Sequence, residues 1–270
     1  MQKPKIGIYS LTGCGGDQLM ILNLEDELLR LLDYVEVVSF QEASSVQEDK
    51  TVDMAFVEGS VSTKMDLDRL NEIRKKSKTL IAIGDCAIGG CVQALRNQET
   101  TMGQKMMKVY GKGDDYFEVL EPFGLSKYIK VDFELQGCPI ETTEVRQLLL
   151  SLLHGDTPEI KDYPVCVECK LNEYKCLLVD KGMPCLGPII AAGCNARCPG
   201  LGIDCIGCRG PIMTETNAAE ELRTLKGKGF DEKYIENRLR FFGANFEGIA
   251  KLSKMLKEKA KNNEGIQIGK

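Results

Sequence analysis

The sequence predicts an α/β protein in which a doubly wound parallel sheet is followed by an irregular cysteine-rich domain with C-terminal helices. Two observations lead to this prediction. In the first half of the 270 residues, five short strand-like segments alternate with helix-like segments. In the second half, eight of the twelve cysteines fall in one stretch that contains several glycines and prolines but little periodicity. We therefore expect two domains, residues 1–160 and residues 161–270.

The strand-like segments are short apolar runs at residues 6–11, 35–40, 52–57, 79–83 and 130–135. Between them, apolar residues at helical spacing predict helices at 17–32, 66–76 and 141–154, while 97–113 is a polar excursion. Strands joined through helices pair in parallel, and five of them favour a flavodoxin-like strand order. Beyond the cysteine-rich stretch, amphipathic patterns predict helices at 217–226, 231–242 and 246–259.

Composition excludes several classes of function. The formal net charge of −5 gives no basic excess to neutralise phosphates, so we expect no nucleic-acid partner. His154 is the only histidine, which excludes His-rich metal sites and disfavours a Ser-His-Asp or Cys-His enzyme. No apolar run approaches the ~18 residues of a membrane span, and no export signal begins the chain. We therefore expect a cytoplasmic protein without a membrane span.

The cysteine spacing indicates metal clusters. In a reducing compartment, twelve thiols are more typical of metal ligands than of disulfides. Three cysteines follow predicted strands, and the carboxyl ends of parallel strands meet at one edge of a sheet. The twelve cysteines divide into three sets of four: Cys14, Cys86, Cys91 and Cys138; Cys166, Cys169, Cys176 and Cys185; Cys194, Cys198, Cys205 and Cys208.

Three sets of four thiolates are what three [4Fe–4S] clusters require. A proline after Cys138 and after Cys198 is also typical of ferredoxin-type ligand runs. The alternatives are structural zinc, which C-x2-C pairs also bind, and buried cysteines that act as small apolar side chains. The spacing favours iron–sulfur clusters over zinc. Bound FMN is disfavoured, because the glycine-rich loop at 13–16 carries no G-x-G-x-x-G.

Seven motifs spread over nearly the whole chain are specific: LTGCGGD, VDMAFVEGSVST, GDCAIGG, QGCP, YPVCVECK, GMPCLGPIIAAGCNARCPG and CIGCRGP. They resemble the small subunit of cytoplasmic [NiFe] hydrogenases, above all the delta subunit of the NADP-linked sulfhydrogenase type. The resemblance implies an electron-transfer subunit of a hydrogen:NADP⁺ oxidoreductase whose catalytic centre lies in a large-subunit partner, so no catalytic residue is expected here. It also implies flavin- and NAD(P)-binding partners and further iron–sulfur subunits.

The resemblance further implies a relay of three [4Fe–4S] clusters between the large subunit and the flavin module. The flavodoxin-like domain would hold the proximal cluster, and the C-terminal domain the other two. On the family pattern, the medial cluster is held by Cys194, Cys198, Cys205 and Cys208, and the distal cluster by Cys166, Cys169, Cys176 and Cys185.

The chain departs from the family pattern at the proximal site. The family's first motif is C-x-x-C, whereas this chain reads Cys14-Gly-Gly-Asp17, so the second thiolate is missing. We expect Cys91, five residues after Cys86, to restore four thiolates together with Cys14, Cys86 and Cys138. Asp17, a harder carboxylate ligand, is the alternative, and a cluster with a labile iron is the third interpretation.

Three further hypotheses concern function. Glu58 follows the third strand and matches a glutamate of the family, so we expect it beside the proximal cluster, either in proton transfer or as an interface carboxylate. The missing thiolate also leaves open a cluster-relay subunit of a related oxidoreductase whose large subunit lacks the NiFe centre. A zinc-stabilised interaction module is the hypothesis from another class.

Overall fold

The computed structural model describes residues 3–45, 48, 50–97, 102–111, 118–212, 218–246 and 249. The chain divides into two compact units, Met1–Ile160 and Lys161–Lys270, and each buries apolar side chains of its own. Within the described ranges, no helix is both long enough and apolar enough to cross a membrane.

The first unit is built on a parallel sheet. In chain order, its described strands are β1 (Lys5–Ser10), β2 (Glu36–Phe40), β3 (Val52–Glu58), β4 (Val61–Thr63), β5 (Ser77–Ile83), β6 (Val119–Phe123) and β7 (Phe133–Leu135). Five of them pair in parallel in the order β2-β1-β3-β5-β7. They correspond to the five predicted strands, and their order is that of flavodoxin-like sheets, so the predicted fold class is confirmed.

The described part of the first unit contains six α-helices. They are α1 (Gly16–Leu22), α2 (Asp26–Leu31), α3 (Lys64–Lys76), α4 (Gly84–Gly89), α5 (Met102–Tyr110) and α6 (Thr142–His154). Ile8 of β1, Phe56 of β3 and Ile83 of β5 share one core with Ile21 of α1 and Val145 of α6. α3 contacts β3 and β5. These strands are apolar along most of their length, as expected for parallel strands that are covered by helices on both faces.

The helix predicted at residues 17–32 is two helices. α1 ends at Leu22 and α2 begins at Asp26, and Glu25 between them has a φ of 50°, in the left-handed region. The turn carries Leu24 into the core at 7% exposure, whereas Leu29 remains 64% exposed. The apolar residues whose spacing predicted one helix thus belong to two helices and the turn between them, and only some of their side chains are buried.

Strands β4 and β6 form an antiparallel pair that the sequence did not predict. They are short and far apart in the chain, so no hairpin turn marks them. α5 lies within residues 97–113, which were expected to be a polar excursion. At the β4–α3 junction, Thr63 accepts from the Asp66 amide, and Asp66 accepts from the Thr63 amide and from the Thr12 hydroxyl. This capping box joins the start of α3 to the loop after β1.

The second unit has little regular structure before residue 212. Its helices in the described part are α7 (Val165–Leu171), α8 (Arg197–Gly200), α9 (Ala218–Gly227) and α10 (Glu232–Gly243). α9 and α10 match two of the predicted helices, and Asp231 caps α10 by accepting the Tyr234 N–H at 2.9 Å. The third predicted helix, 246–259, lies outside the described residues except for 246 and 249. A cysteine-rich region followed by helices is thus confirmed.

Glu221 on α9 makes the stability of this unit depend on pH. The carboxyl is 5% exposed, its Oε1 has no hydrogen-bond partner among the described residues, and burial raises its pKa to about 7. The unfolded state releases this proton near pH 4.3, so stability falls as the pH rises from about 4.3 towards the folded-state value. We expect the gain in unfolding free energy from Glu221→Gln to be about 2 kcal/mol larger at pH 8 than at pH 5.

Guanidinium unfolding of both proteins at these two pH values, under anaerobic conditions, checks the expectation for Glu221. Glu220 on the same helix is exposed, and Glu220→Gln is the matched control, for which no pH-dependent gain is expected. An equal gain for Glu221→Gln at both pH values would contradict the role given to its buried carboxyl.

Candidate metal centres

The loop after β1 carries Cys14. Thr12 forms an isolated β-bridge with Ser60, and Gly15, with a φ of 77°, leads into α1. A side-chain carbon on Gly16 would lie only 3.2 Å from Cys14 Sγ. The glycines therefore let the backbone turn closely around an exposed thiol.

Cys86 and Cys91 belong to one segment after β5. Cys86 lies in α4, and its thiol donates to Gln93 Oε1 at 3.3 Å. Gly90, with a φ of 78°, ends this helix, and the fully buried Cys91 begins a 3₁₀ helix (Cys91–Arg96) with a φ of 42°. A left-handed conformation is unfavourable for a residue with a side chain, and such strain is typical of functional positions.

Cys138 follows β7 in a loop that is joined to the Cys86 segment. The Asp85 N–H donates to the Gly137 carbonyl at 2.7 Å. Gly137 has a φ of 149°, and a side-chain carbon there would lie 2.6 Å from the Pro139 carbonyl oxygen, so this position requires glycine. The Cys138–Pro139 peptide bond is cis. This hydrogen bond links the loops after β5 and β7 next to two thiols, because Asp85 directly precedes Cys86 and Gly137 directly precedes Cys138.

Cys91 brings these thiols together. Its thiol interacts with those of Cys138 and Cys86, and these interactions, with burial, raise its pKa far above the ordinary value. The contact with Cys91 lowers the pKa of Cys138 to about 7. At Cys14, a backbone hydrogen bond lowers the pKa, but burial and the charges of Glu58 and Cys86 outweigh it and raise the pKa. The structure therefore gathers the four cysteines at one edge of the sheet.

Asp17 also lies at this edge, where it contacts backbone groups. It is 5% exposed, and its Oδ1 accepts the Ile140 N–H at 2.9 Å. A side-chain carbon on Gly84 would lie 1.8 Å from Asp17 Oδ2, so the carboxyl packs directly on that glycine. Burial raises the pKa of Asp17 to about 7, against the lowering effect of the Ile140 amide. Asp17 thus bridges the backbone just before Cys86 and just after Cys138.

Glu58 ends β3 and is buried beside the same thiols. It is 1% exposed, and its Oε2 accepts the backbone N–H and the side-chain amide of Gln18, each at 3.3 Å. A side-chain carbon on Gly13 would lie 3.2 Å from Glu58 Oε1. The expectation that Glu58 lies near the first cysteine set agrees with its charge acting on Cys14 and Cys138.

In the second unit, one predicted set groups around α7. Burial raises the pKa of Cys166 to about 12, and the charges of Cys185, Cys169 and Cys176 add to this rise. A side-chain carbon on Gly187 would lie 3.3 Å from Cys166 Sγ and 3.5 Å from Cys185 Sγ. The missing side chain at Gly187 therefore keeps the space beside these two thiols open.

The other set of the second unit adjoins the first. Burial raises the pKa of Cys205 well above its ordinary value, and the charges of Cys185, Cys208 and Cys194 contribute. The Cys205 N–H donates to Cys185 Sγ at 3.3 Å, so a hydrogen bond joins the two sets. Cys198 lies on α8, next to Arg197, whose N–H donates to the Cys194 carbonyl at 3.3 Å.

The donor chemistry fits iron–sulfur clusters. All twelve cysteines are free thiols, and thiolates are soft ligands that suit iron–sulfur centres. A [4Fe–4S] cluster takes four cysteines, the number in each set. In the described ranges, no group of three or more His, Cys, Asp or Glu side chains is placed to hold a single metal ion.

The sequence did not mark the polar side chains that hold the cysteine loops. Gln93 accepts from Cys86, and Gln18 donates to Glu58. Arg238 on α10 donates to the Cys205 carbonyl at 3.3 Å and pairs with Asp204. No local motif marks Gln18 or Arg238, because each acts on a segment that is distant in the chain. Gln93 lies close to Cys86 in the chain, but its side chain also donates to the distant Thr12 carbonyl at 3.3 Å. Glu168, which accepts the Gly193 and Ala196 N–H groups, is marked in the sequence by its place inside a C-x2-C pair.

Comparisons with known proteins agree with this architecture. Residues 14–152 match the family of the NADH ubiquinone oxidoreductase 20 kDa subunit. Sulfhydrogenase 2 subunit delta of Pyrococcus furiosus is 44% identical over 238 residues, which cover 88% of this chain and 98% of that protein. A subunit of the F420-non-reducing hydrogenase vhu of Methanocaldococcus jannaschii is 31% identical over 236 residues, covering 76% of this chain and 81% of that protein.

Solved structures show the same fold. A chain of an NAD⁺-reducing [NiFe]-hydrogenase in the H2-reduced state matches with a TM-score of 0.54 and 26% identity, covering 59% of this chain and 96% of its own length. A chain of the Ni-Fe-Se hydrogenase from Desulfomicrobium baculatum, at 16% identity, supports the fold alone, with a TM-score of 0.54 over 87% of this chain and 99% of that one. The resemblance is therefore confirmed: the chain belongs to the NADH ubiquinone oxidoreductase 20 kDa subunit family, as a small subunit of the hydrogenase type.

Proposed function

We propose that this protein is the electron-transfer small subunit of a cytoplasmic [NiFe] hydrogenase complex, which relays electrons between an H2-active large subunit and a flavin- and NAD(P)-binding module through three [4Fe–4S] clusters. The observation that carries the proposal is the grouping of twelve free cysteines into three sets in a chain of this family. The clusters would supply one-electron transfer, and the catalytic centre would lie in the large subunit. Further iron–sulfur subunits would complete the complex.

At the proximal cluster, we assign the four thiolates to Cys14, Cys86, Cys91 and Cys138. The contacts of Cys91 with Cys86 and Cys138 support this assignment. Asp17 is the alternative ligand, but its Oδ1 is already occupied by the Ile140 amide and its Oδ2 packs against Gly84.

The eight cysteines of the second unit supply the other two clusters. Two observations support this division. Cysteines of the same set act electrostatically on one another's pKa, and Gly187 leaves space open beside Cys166 and Cys185. We assign Cys194, Cys198, Cys205 and Cys208 (the medial set) to the medial cluster, and Cys166, Cys169, Cys176 and Cys185 (the distal set) to the distal cluster.

Burial determines how these thiols respond to a metal. It raises the pKa of Cys166, Cys185, Cys194 and Cys205, so these side chains hold their protons at neutral pH before a metal binds. Cluster insertion must therefore release protons from the second unit. The backbone N–H of Cys205, which donates to Cys185 Sγ, then compensates part of the thiolate charge.

We propose Glu58 as a proton-path residue next to the proximal cluster, with an interface carboxylate as the alternative. Its burial and its bonds to Gln18 hold the carboxyl in one place. Glu58→Gln is expected to leave the iron content unchanged and to slow H2-dependent dye reduction by the whole complex by about tenfold or more. Weaker retention of the large subunit on gel filtration, with normal turnover in the remaining complex, would instead indicate the interface role.

The proposed function is tested by metal analysis and spectroscopy. We expect the anaerobically purified full chain to be brown, with a broad charge-transfer band and about twelve iron atoms per chain. A colourless zinc protein would overturn the proposal in favour of a zinc-stabilised module. For the complex, we expect nickel and H2-dependent dye reduction. A complex that contains iron but no nickel, and that does not reduce dye with H2, would favour a related oxidoreductase without the NiFe centre. The aspartate at position 17, where the family has a cysteine, suggests this alternative.

A further inference from the structure

Glu168 is a buried carboxylate on α7, between the first two cysteines of the distal set. It is 5% exposed, and a carboxylate at such a position is stable only where donors surround it. Three donors do so. Its Oε1 accepts the Gly193 N–H at 2.9 Å and Lys161 Nζ at 3.0 Å, and its Oε2 accepts the Ala196 N–H at 3.2 Å.

The two backbone donors belong to the loop of the medial set. Gly193 directly precedes Cys194, and Ala196 follows it by two positions. Asn195 and Ala196 have φ values of 53° and 48°, a left-handed conformation that is costly for residues with side chains. Asn172, which follows α7, also contacts this loop, because its side-chain amide donates to Asn195 Oδ1 at 2.8 Å. The strained shape of the loop is therefore held by groups of the distal-set segment.

The charge of Glu168 also reaches the medial set. Burial raises the pKa of the Cys194 thiol, and the Glu168 carboxylate adds to this effect. Lys161 pairs with the carboxylate and is 34% exposed. Substitution of Lys161 changes the charge at this pair but leaves the carboxylate that accepts the two loop amides. The geometric and the electrostatic contributions of Glu168 can therefore be separated by substitution at the two positions.

We infer that Glu168 is a positioning residue that couples the two cysteine sets of the second unit: its carboxylate ties the Cys194 loop to the helix of the distal set, and its charge acts on the group that the medial set binds. The inference rests on the proposed function. One-electron reduction adds one negative charge to that group, so the Glu168 carboxylate disfavours reduction and the Lys161 ammonium favours it.

The test is a dithionite titration of the anaerobic complex, followed by EPR, for Glu168→Gln and Lys161→Met. The medial signal is identified as the one that Cys194→Ser perturbs. We expect its midpoint potential to rise in Glu168→Gln and to fall in Lys161→Met. The matched control is Glu173→Gln, which removes an exposed carboxylate shortly after α7, and for which we expect no shift.

Shifts of the same sign in Glu168→Gln and Lys161→Met, or an equal shift in Glu173→Gln, would overturn the inference. Should Glu168→Gln lose the medial signal altogether, Lys161→Met decides, because it keeps the carboxylate and both amide bonds. Unchanged potentials in both variants, with normal iron in the wild-type complex, would refute the inference alone. Wild-type protein without iron would refute the proposed function itself.

Discussion

Cys91→Ala is expected to lose one complete cluster, about four of twelve iron atoms per chain, while the other two clusters remain. The Cys91 thiol is fully buried and interacts with those of Cys86 and Cys138, so alanine leaves the proximal set with three thiols. Electron transfer from the large subunit is also expected to fail, because the proximal cluster is the first electron acceptor of the proposed relay. Iron and sulfide analysis, together with EPR of the reduced protein, measures the loss.

Asp17→Asn is the matched control for Cys91→Ala. Asparagine has nearly the same size, and its side-chain oxygen can still accept the Ile140 N–H. We expect this variant to keep all three clusters. The reverse pattern, with iron lost from Asp17→Asn and retained in Cys91→Ala, would show that the carboxylate is the fourth ligand and would refute the assignment of Cys91.

Gly124→Ala is expected to have the largest effect on folding. Gly124 has a φ of −65°, which alanine tolerates, so the cost is purely steric. The added carbon would lie 1.9 Å from the Ile88 carbonyl oxygen and 2.5 Å from its carbonyl carbon. Backbone cannot rotate away as a side chain can, so α4, which carries Cys86, must shift. We expect a loss of about 3 kcal/mol or more in unfolding free energy and weaker retention of the proximal cluster.

Guanidinium unfolding of anaerobic protein measures this loss, and Gly227→Ala is the control for Gly124→Ala. Gly227 ends α9, and among the described residues no atom outside its own stretch of helix lies within 4 Å of a carbon added there. In a helix, replacing glycine by alanine is neutral or stabilising by up to about 1 kcal/mol. If Gly124→Ala unfolds at the same denaturant concentration as wild type, the close approach to Ile88 is not a constraint in solution.

The sheet could be predicted from the sequence because its signals are local. Each central strand is an apolar run that ends near a turn. Because parallel strands are buried on both faces, such a run is enough to predict them. β4 and β6 could not be predicted, since their pairing depends on residues far apart in the chain. The break between α1 and α2 at Glu25 was missed for a related reason. It occurs because Leu24 packs into the core, and the spacing of apolar residues does not show which of them the core will bury.

The candidate site was predictable to a similar degree. Residue type and spacing were enough to divide the cysteines into sets, because metal chemistry restricts both. They did not reveal that Asp17 holds the Ile140 amide or that Glu168 holds the Cys194 loop. These contacts arise only when folding brings distant loops together, and a carboxylate in a sequence does not show which amides it will meet.

The contacts of Asp17 have an evolutionary consequence. A cysteine at position 17 would restore the first motif of the family but would lose the bond to Ile140 and the packing on Gly84. It would also place a fifth thiol beside a set of four. On the proposed assignment of Cys91 as the fourth ligand, a change to cysteine at position 17 would be unfavourable while Cys91 is present, and loss of Cys91 would be unfavourable while Asp17 is present. The two positions would then form an epistatic pair, in which each residue makes the family's usual residue at the other position harder to regain.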